Sequence, residues 1–197
     1  MKLGLGLYKH MLTEENYTFA KQCGVTHIVA HLTDYFADAP KLPGQNKQGW
    51  GITNGDREIW SKQSLTKLKT EINAAGLELT ALENFDPGLW YDVLLGGPKQ
   101  VEQLEFLKDI IRNMGEVGIP VMGYNFSIAG VAGWSEGPFA RGGATSVGLV
   151  EEDTLGLDPI PTGMIWNMVY DQDAPQGTIP PVSHDQLWAN LHAFHEA

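Results

Sequence analysis

Between Leu3 and Phe126 short apolar runs alternate with amphipathic stretches, and this rhythm limits the available folds more than any other feature. Leu3 to Tyr8 reads as a short strand. Thr13 is placed to cap a helix, with Glu14 and Glu15 at its positive end. Tyr17, Ala20 and Cys23 follow at helical spacing, and Gly24 stops that helix. Val25 to Leu32 is β-branched and apolar, as a buried strand is. A second helix carries Leu65, Leu68, Ile72 and Ala75 and ends at Gly76; Leu77 to Phe85 reads as a third strand. A third helix carries Val101, Leu104, Leu107, Ile111 and Met114, ends near Gly118, and leads into a fourth strand over Ile119 to Phe126. The order βαβαβαβ implies a parallel sheet with helical crossovers, either doubly wound or part of a β/α barrel. Gly4 and Gly6 lie inside the first strand, not after it, so no phosphate-binding glycine fingerprint favours a dinucleotide fold.

Length and charge narrow the choice. The 197 residues suit one domain, taken as 1–197, but fall short of the roughly 250 of a closed eight-stranded barrel. With 13 basic and 24 acidic side chains the net charge is −11, which argues against nucleic acid and against an anionic membrane surface. Cys23 is the single cysteine, so no internal disulfide can form, as suits a reducing compartment. The first residues are too short and glycine-rich for a signal peptide, and no run of 18 apolar residues exists. The expectation is a cytoplasmic protein.

Two segments break the rhythm. Thr33 to Gly55 reads as a long loop, with Trp50 and Trp60 placed to cover a site or simply to pack. Residues 127–182 form a Gly- and Pro-rich insertion whose Trp134, Phe139, Trp166 and Tyr170 favour an ordered structure, with Met164 to Tyr170 as one strand of a hairpin. Ser183 and Gln186 then make a capping box, and Leu187, Leu191 and Phe194 line one face of a helix that reaches Ala197 without a stop signal. The chain therefore reads as the truncated first part of a longer one.

In parallel β/α folds, functional groups gather at the carboxyl ends of strands. Those ends carry Tyr8, Lys9 and His10; His31 and Asp34; Glu83, Asn84 and Asp86; and Tyr124, Asn125 and Ser127. His31 suits a metal ligand, a base, a hydrogen-bond donor to substrate, or a satisfied structural histidine. Glu83 suits a general base, a ligand or an ion pair. Asn84 and Asn125 suit holding hydroxyls, since amides do not titrate. Tyr8 and Tyr124 are more often packing groups than acids. Cys23 is expected on a core face, and His192 and His195 lack a third ligand. Arg141, between glycines in Gly137 to Gly143, can meet a carboxylate in bidentate fashion or stay solvated.

The runs Glu83 to Pro87, Trp90 to Pro98, Ile110 to Asn113, Gly118 to Gly130, Gly137 to Ala144 and Gly163 to Tyr170, with Met1 to Met11, resemble the mannonate dehydratase family. The resemblance implies a partial TIM-type (β/α) barrel of the xylose-isomerase-like kind, with roughly the first four strands plus a long insertion after strand four. It implies dehydration of D-mannonate to 2-dehydro-3-deoxy-D-gluconate in hexuronate breakdown, with Mn²⁺ or Fe²⁺ as cofactor. The family's metal ligands, a His, Cys, His and Asp on later strands, match no residue here, so no metal ligand is assigned. The substrate-facing residues expected from strand-end position and loop chemistry are His31, Asn84, Tyr124, Asn125 and Arg141. Open strand edges would make the chain self-associate. The rival readings are a sugar isomerase or epimerase using His31 and Glu83, and a half barrel without activity.

Overall fold

Four strands, β1 (Gly4–Leu7), β2 (His27–Ala30), β3 (Glu78–Glu83) and β4 (Val121–Gly123), pair side by side in chain order, every pair parallel. This is a computed structural model; it describes residues 2–38, 51–53, 55–130, 134–150 and 159–197. Trp50, much of the 33–55 loop, part of the insertion and the side chain of Trp134 lie outside the described residues.

The crossovers are helical. α1 (Glu14–Gln22) begins at Thr13, whose hydroxyl accepts from Asn16 N–H, and Gly24 follows it at φ +79°. α2 (Lys62–Ala74) starts at Ser61 in the same manner. Between β3 and β4 there are two helices, α3 (Pro87–Leu95) and α4 (Gln100–Val117), where one was expected. α3 has Asp86 as N-cap and Pro87 at its first position, which is favourable because proline lacks the N–H that a first turn cannot pair.

The sheet's apolar side chains and the helices share one core, with Ile28, Leu65, Ile72, Leu82, Val93, Leu94 and Ile110 fully buried. Each such side chain contributes about 1.5–3 kcal/mol relative to exposure. The expected packing faces need two corrections. α4 buries Gln103, Leu107, Ile110 and Met114, leaving Val101 and Ile111 exposed. Cys23 is not on a core face: it is the exposed C-cap of α1, past the last residue that turns inward.

Beyond β4 the described residues of the insertion form two hairpins, β5 (Trp134–Gly137) with β6 (Ser146–Leu149), and β7 (Met164–Ile165) with β8 (Met168–Val169). The expected strand at Met164 to Tyr170 is therefore a complete small hairpin. The last helix, α5 (His184–Glu196), is capped by Ser183, which accepts from Gln186 N–H. Gln186 does not close the box; its amide reaches forward to Asn190 Oδ1 at 2.8 Å. Among the described residues β1 and β4 are each paired on one side only.

Candidate active site at the carboxyl ends of the strands

Strand pairing continues just past β2 and β3, and this sets the site. His31 N–H donates to Leu7 O at 2.9 Å, and Asn84 N–H donates to Gly123 O at 2.9 Å. The side chains of His31, Glu83 and Asn84 are thereby held at the same end of two neighbouring strands, β2 and β3, beside Tyr8, which follows β1. Asn84 sits at φ +63°, a left-handed conformation that asparagine tolerates better than most residues and that recurs at functional sites.

The four groups are joined through Tyr35. Its hydroxyl lies 3.1 Å from His31 Nδ1 and accepts from Asn84 Nδ2 at 3.2 Å. His31 Nε2 faces Glu83 Oε2 at 3.6 Å. The Tyr8 ring lies 5.0 Å from the His31 ring and edge-on to Tyr35 and Phe36. Burial lowers the His31 pKa, and the Glu83 carboxylate opposes that shift. Burial also pushes the Tyr35 phenol well up, so Tyr35 stays protonated near neutrality. Glu83 and Tyr8 are about half exposed, so the mouth of the site is open.

The insertion builds the back wall. Tyr35 clusters with Trp166 and Met168 of the β7–β8 hairpin, the Tyr35 and Trp166 rings 5.5 Å apart. That hairpin turns through Trp166 and Asn167, both at positive φ (50° and 62°), the geometry that matches strand twist in a two-residue turn. Trp166 N–H is tied to Ile128 O at 2.7 Å. A side chain at Gly130 would collide with Asn167 Oδ1. On the hairpin's far strand, Val169 exchanges backbone hydrogen bonds with Gly51 and Thr53, and the Thr53 hydroxyl donates to Asp86. Asp86 is buried, which raises its pKa, while Thr53 and Gly88 N–H stabilise its charged form.

Of the five substrate-facing residues expected, the structure brings His31 and Asn84 together. Tyr124 turns to α5 instead: its hydroxyl lies 2.6 Å from His195 Nε2, and its ring packs on Phe194 at 5.0 Å. Asn125 is exposed. Arg141 is exposed on the short 3-10 turn Arg141–Gly143 between β5 and β6. Among the described residues no hydrogen bond, ion pair or ring contact links Tyr124, Asn125 or Arg141 to the His31 group. Tyr35 and Trp166 escape sequence reasoning as site residues. Tyr35 stands four places after a strand-end histidine, but its partner comes from a distant hairpin.

The donor chemistry does not fit a divalent metal. Both His31 nitrogens face other groups, and among the described residues no three His, Cys, Asp or Glu side chains converge.

A parallel sheet with helical crossovers and polar groups collected at its carboxyl end is the arrangement found in part of a β/α barrel. Residues 17–169 match the family described as D-mannonate dehydratase (UxuA), and the chain belongs to that family. It is 31% identical over 150 residues to the mannonate dehydratase of Streptococcus pneumoniae (strain 70585), covering 71% of this chain and 40% of that protein. Over 69 residues it is 41% identical to the mannonate dehydratase of Lactococcus lactis subsp. cremoris (strain MG1363). The crystal structure of mannonate dehydratase from Streptococcus suis serotype2 superposes with a TM-score of 0.63 at 24% identity, covering all of this chain and 48% of that one. The chain thus spans less than half the length of the relatives it matches.

Proposed function

We propose that this chain forms the substrate-holding part of a hydro-lyase that converts D-mannonate to 2-dehydro-3-deoxy-D-gluconate in hexuronate breakdown. The observation that carries the reading is the His31–Tyr35–Asn84 chain beside Glu83, in a member of the D-mannonate dehydratase family. Loss of water across C2 and C3 requires a proton to leave the carbon beside the carboxylate and the C3 hydroxyl to depart with a proton. His31, through its outward nitrogen, holds a hydroxyl or carboxylate oxygen of the substrate. Asn84 bonds to the Tyr35 hydroxyl behind it. Arg141 meets the substrate carboxylate, and Tyr124 and Asn125 contact the more distant hydroxyls.

The Mn²⁺ or Fe²⁺ that the resemblance implies would stabilise the charge developing next to the carboxylate. No residue of this chain is assigned as its ligand. The chain works in the cytoplasm on a small anionic sugar acid.

The test is a keto-acid assay on the purified chain given D-mannonate and Mn²⁺, with bound metal measured on the same sample and D-mannonate binding followed by calorimetry. Binding that His31→Ala weakens at least tenfold, with neither turnover nor bound metal, is the expected result. Turnover with stoichiometric metal would overturn the reading that this chain holds substrate without holding the metal. The 3.6 Å His31–Glu83 pair also suits proton transfer in a sugar isomerase; ketose formation from aldoses, with mannonate untouched, would favour that second reading.

A further inference from the structure

We propose that the exposed rings of Tyr8, His10 and Phe36 form an aromatic subsite, which packs against the C–H face of a polyhydroxylated ligand whose oxygens meet His31 and Glu83. The inference rests on the reading of this mouth as a sugar-acid site, and adds to it the part of the ligand that polar groups do not grip.

The three rings make a corner. Those of Tyr8 and His10 are nearly parallel, their planes 13° apart and their centroids 6.2 Å apart. Phe36 stands almost perpendicular to both, at 86° and 74°, with centroid separations of 5.7 and 5.9 Å. The backbone holds the corner in place. Met11 N–H donates to Tyr8 O at 2.8 Å across the 3-10 turn Lys9–Met11, and Phe36 N–H donates to Asp34 Oδ1 at 3.3 Å. The rings nevertheless face water: Tyr8 is 42% exposed, Phe36 is 51% exposed, and His10 is exposed as well. Elsewhere the chain packs an aromatic pair tightly, with Tyr91 flat on Tyr170 at 4.0 Å. Exposed apolar surface gathered in one place marks a binding surface, whereas single scattered side chains do not.

The neighbouring groups say what the corner binds. The Tyr8 ring lies 5.0 Å from the His31 ring, and His31 Nε2 lies 3.6 Å from Glu83 Oε2, so ring surface and hydrogen-bonding groups adjoin. A ligand that suits both carries oxygens on one side and C–H bonds on the other, as a sugar or a sugar acid does. Its C–H bonds are polarised by the hydroxyls beside them, and the electron-rich face of an aromatic ring attracts their hydrogens. A hydrocarbon tail would offer nothing to His31 and Glu83. A bare inorganic anion would gain nothing from the rings.

The experiment is saturation-transfer NMR on the full chain with D-mannonate and, separately, with D-mannitol, which keeps the carbon skeleton and lacks the carboxylate. Transfer to the C–H protons of D-mannonate is expected. The dissociation constant read from a titration of that signal should rise about threefold or more in Phe36→Ala and in Tyr8→Leu. Phe36→Tyr, which keeps a ring, should bind more tightly than Phe36→Leu, which keeps only bulk. Trp188→Ala, which removes an exposed ring on α5, should bind as the unaltered chain does. D-Mannonate bound equally well by Phe36→Ala and Tyr8→Leu overturns the subsite and leaves the sugar-acid reading standing. D-Mannitol bound in a Phe36-dependent way, with D-mannonate unbound, sinks the sugar-acid reading and keeps the subsite. Transfer to neither ligand overturns both. Sedimentation of the same samples covers the other occupant: if Phe36→Ala turns larger species into monomer while transfer is unchanged, the corner joins copies of the chain and the proposal falls.

Discussion

At the level of single residues, His31 gathers opposing influences. Burial disfavours its charged form, and Glu83 favours it; burial is the larger effect, so its folded pKa lies below the ordinary 6.5. Tyr8, Tyr35 and Glu83 are the titratable groups facing it. On acidification below about pH 6.5 the unfolded chain takes up a proton that the folded one resists, so stability falls until the folded pKa is passed. Urea melts of the wild type between pH 7.5 and 5 should show this loss, and His31→Gln should flatten it. An unchanged slope in the variant would assign the effect elsewhere. His31, Glu83 and Asn84 were legible as candidates because a buried apolar strand rarely ends in such groups. Tyr35 was not, since its role depends on Trp166 and Met168, which only the folded insertion brings near.

Among the elements, α1, α2 and α5 were readable from their caps, because Thr13, Ser183 and the stop glycines satisfy backbone groups by local chemistry. α3 escaped for the opposite reason. Its Pro87–Gly88 start resembles a turn, and Leu89, Trp90, Val93 and Leu94 are buried all round, leaving no polar stripe to mark a helical period. On α4 the inward face runs through Gln103 and Ile110, one residue from Leu104 and Ile111, because Gln103 Oε1 accepts the N–H groups of Asp92 and Val93. A polar side chain can thus occupy a core position when it satisfies neighbouring backbone. α5 is anchored similarly: buried Asn190 donates to Leu94 O at 2.9 Å. Asn190→Ala strands that carbonyl and should cost about 1–3 kcal/mol. Hydrogen exchange should then quicken across α5 more than across β1–β3; uniform quickening would contradict a local anchor.

For the whole molecule, the parallel sheet and its order were visible in the alternation of strands and helices, whereas the insertion's hairpins were visible only in part. β4 carries exposed Val121, and Leu3 is exposed beside β1, so the two sheet ends that lack a second neighbour among the described residues also bear apolar side chains. Such edges template pairing with other chains. The purified chain should sediment as species larger than 21.6 kDa, and Val121→Lys should shift it toward monomer. A wild-type monomer at tens of micromolar would refute this. Because all four strands run the same way, parallel continuation needs β4 of one copy against β1 of the next, never like against like. Association of that kind has a head and a tail. Two copies whose curvature brings the last edge back to the first would close an eight-stranded ring and stop; a slight error in that rotation would leave an end always free, and the assembly would grow as a fibre.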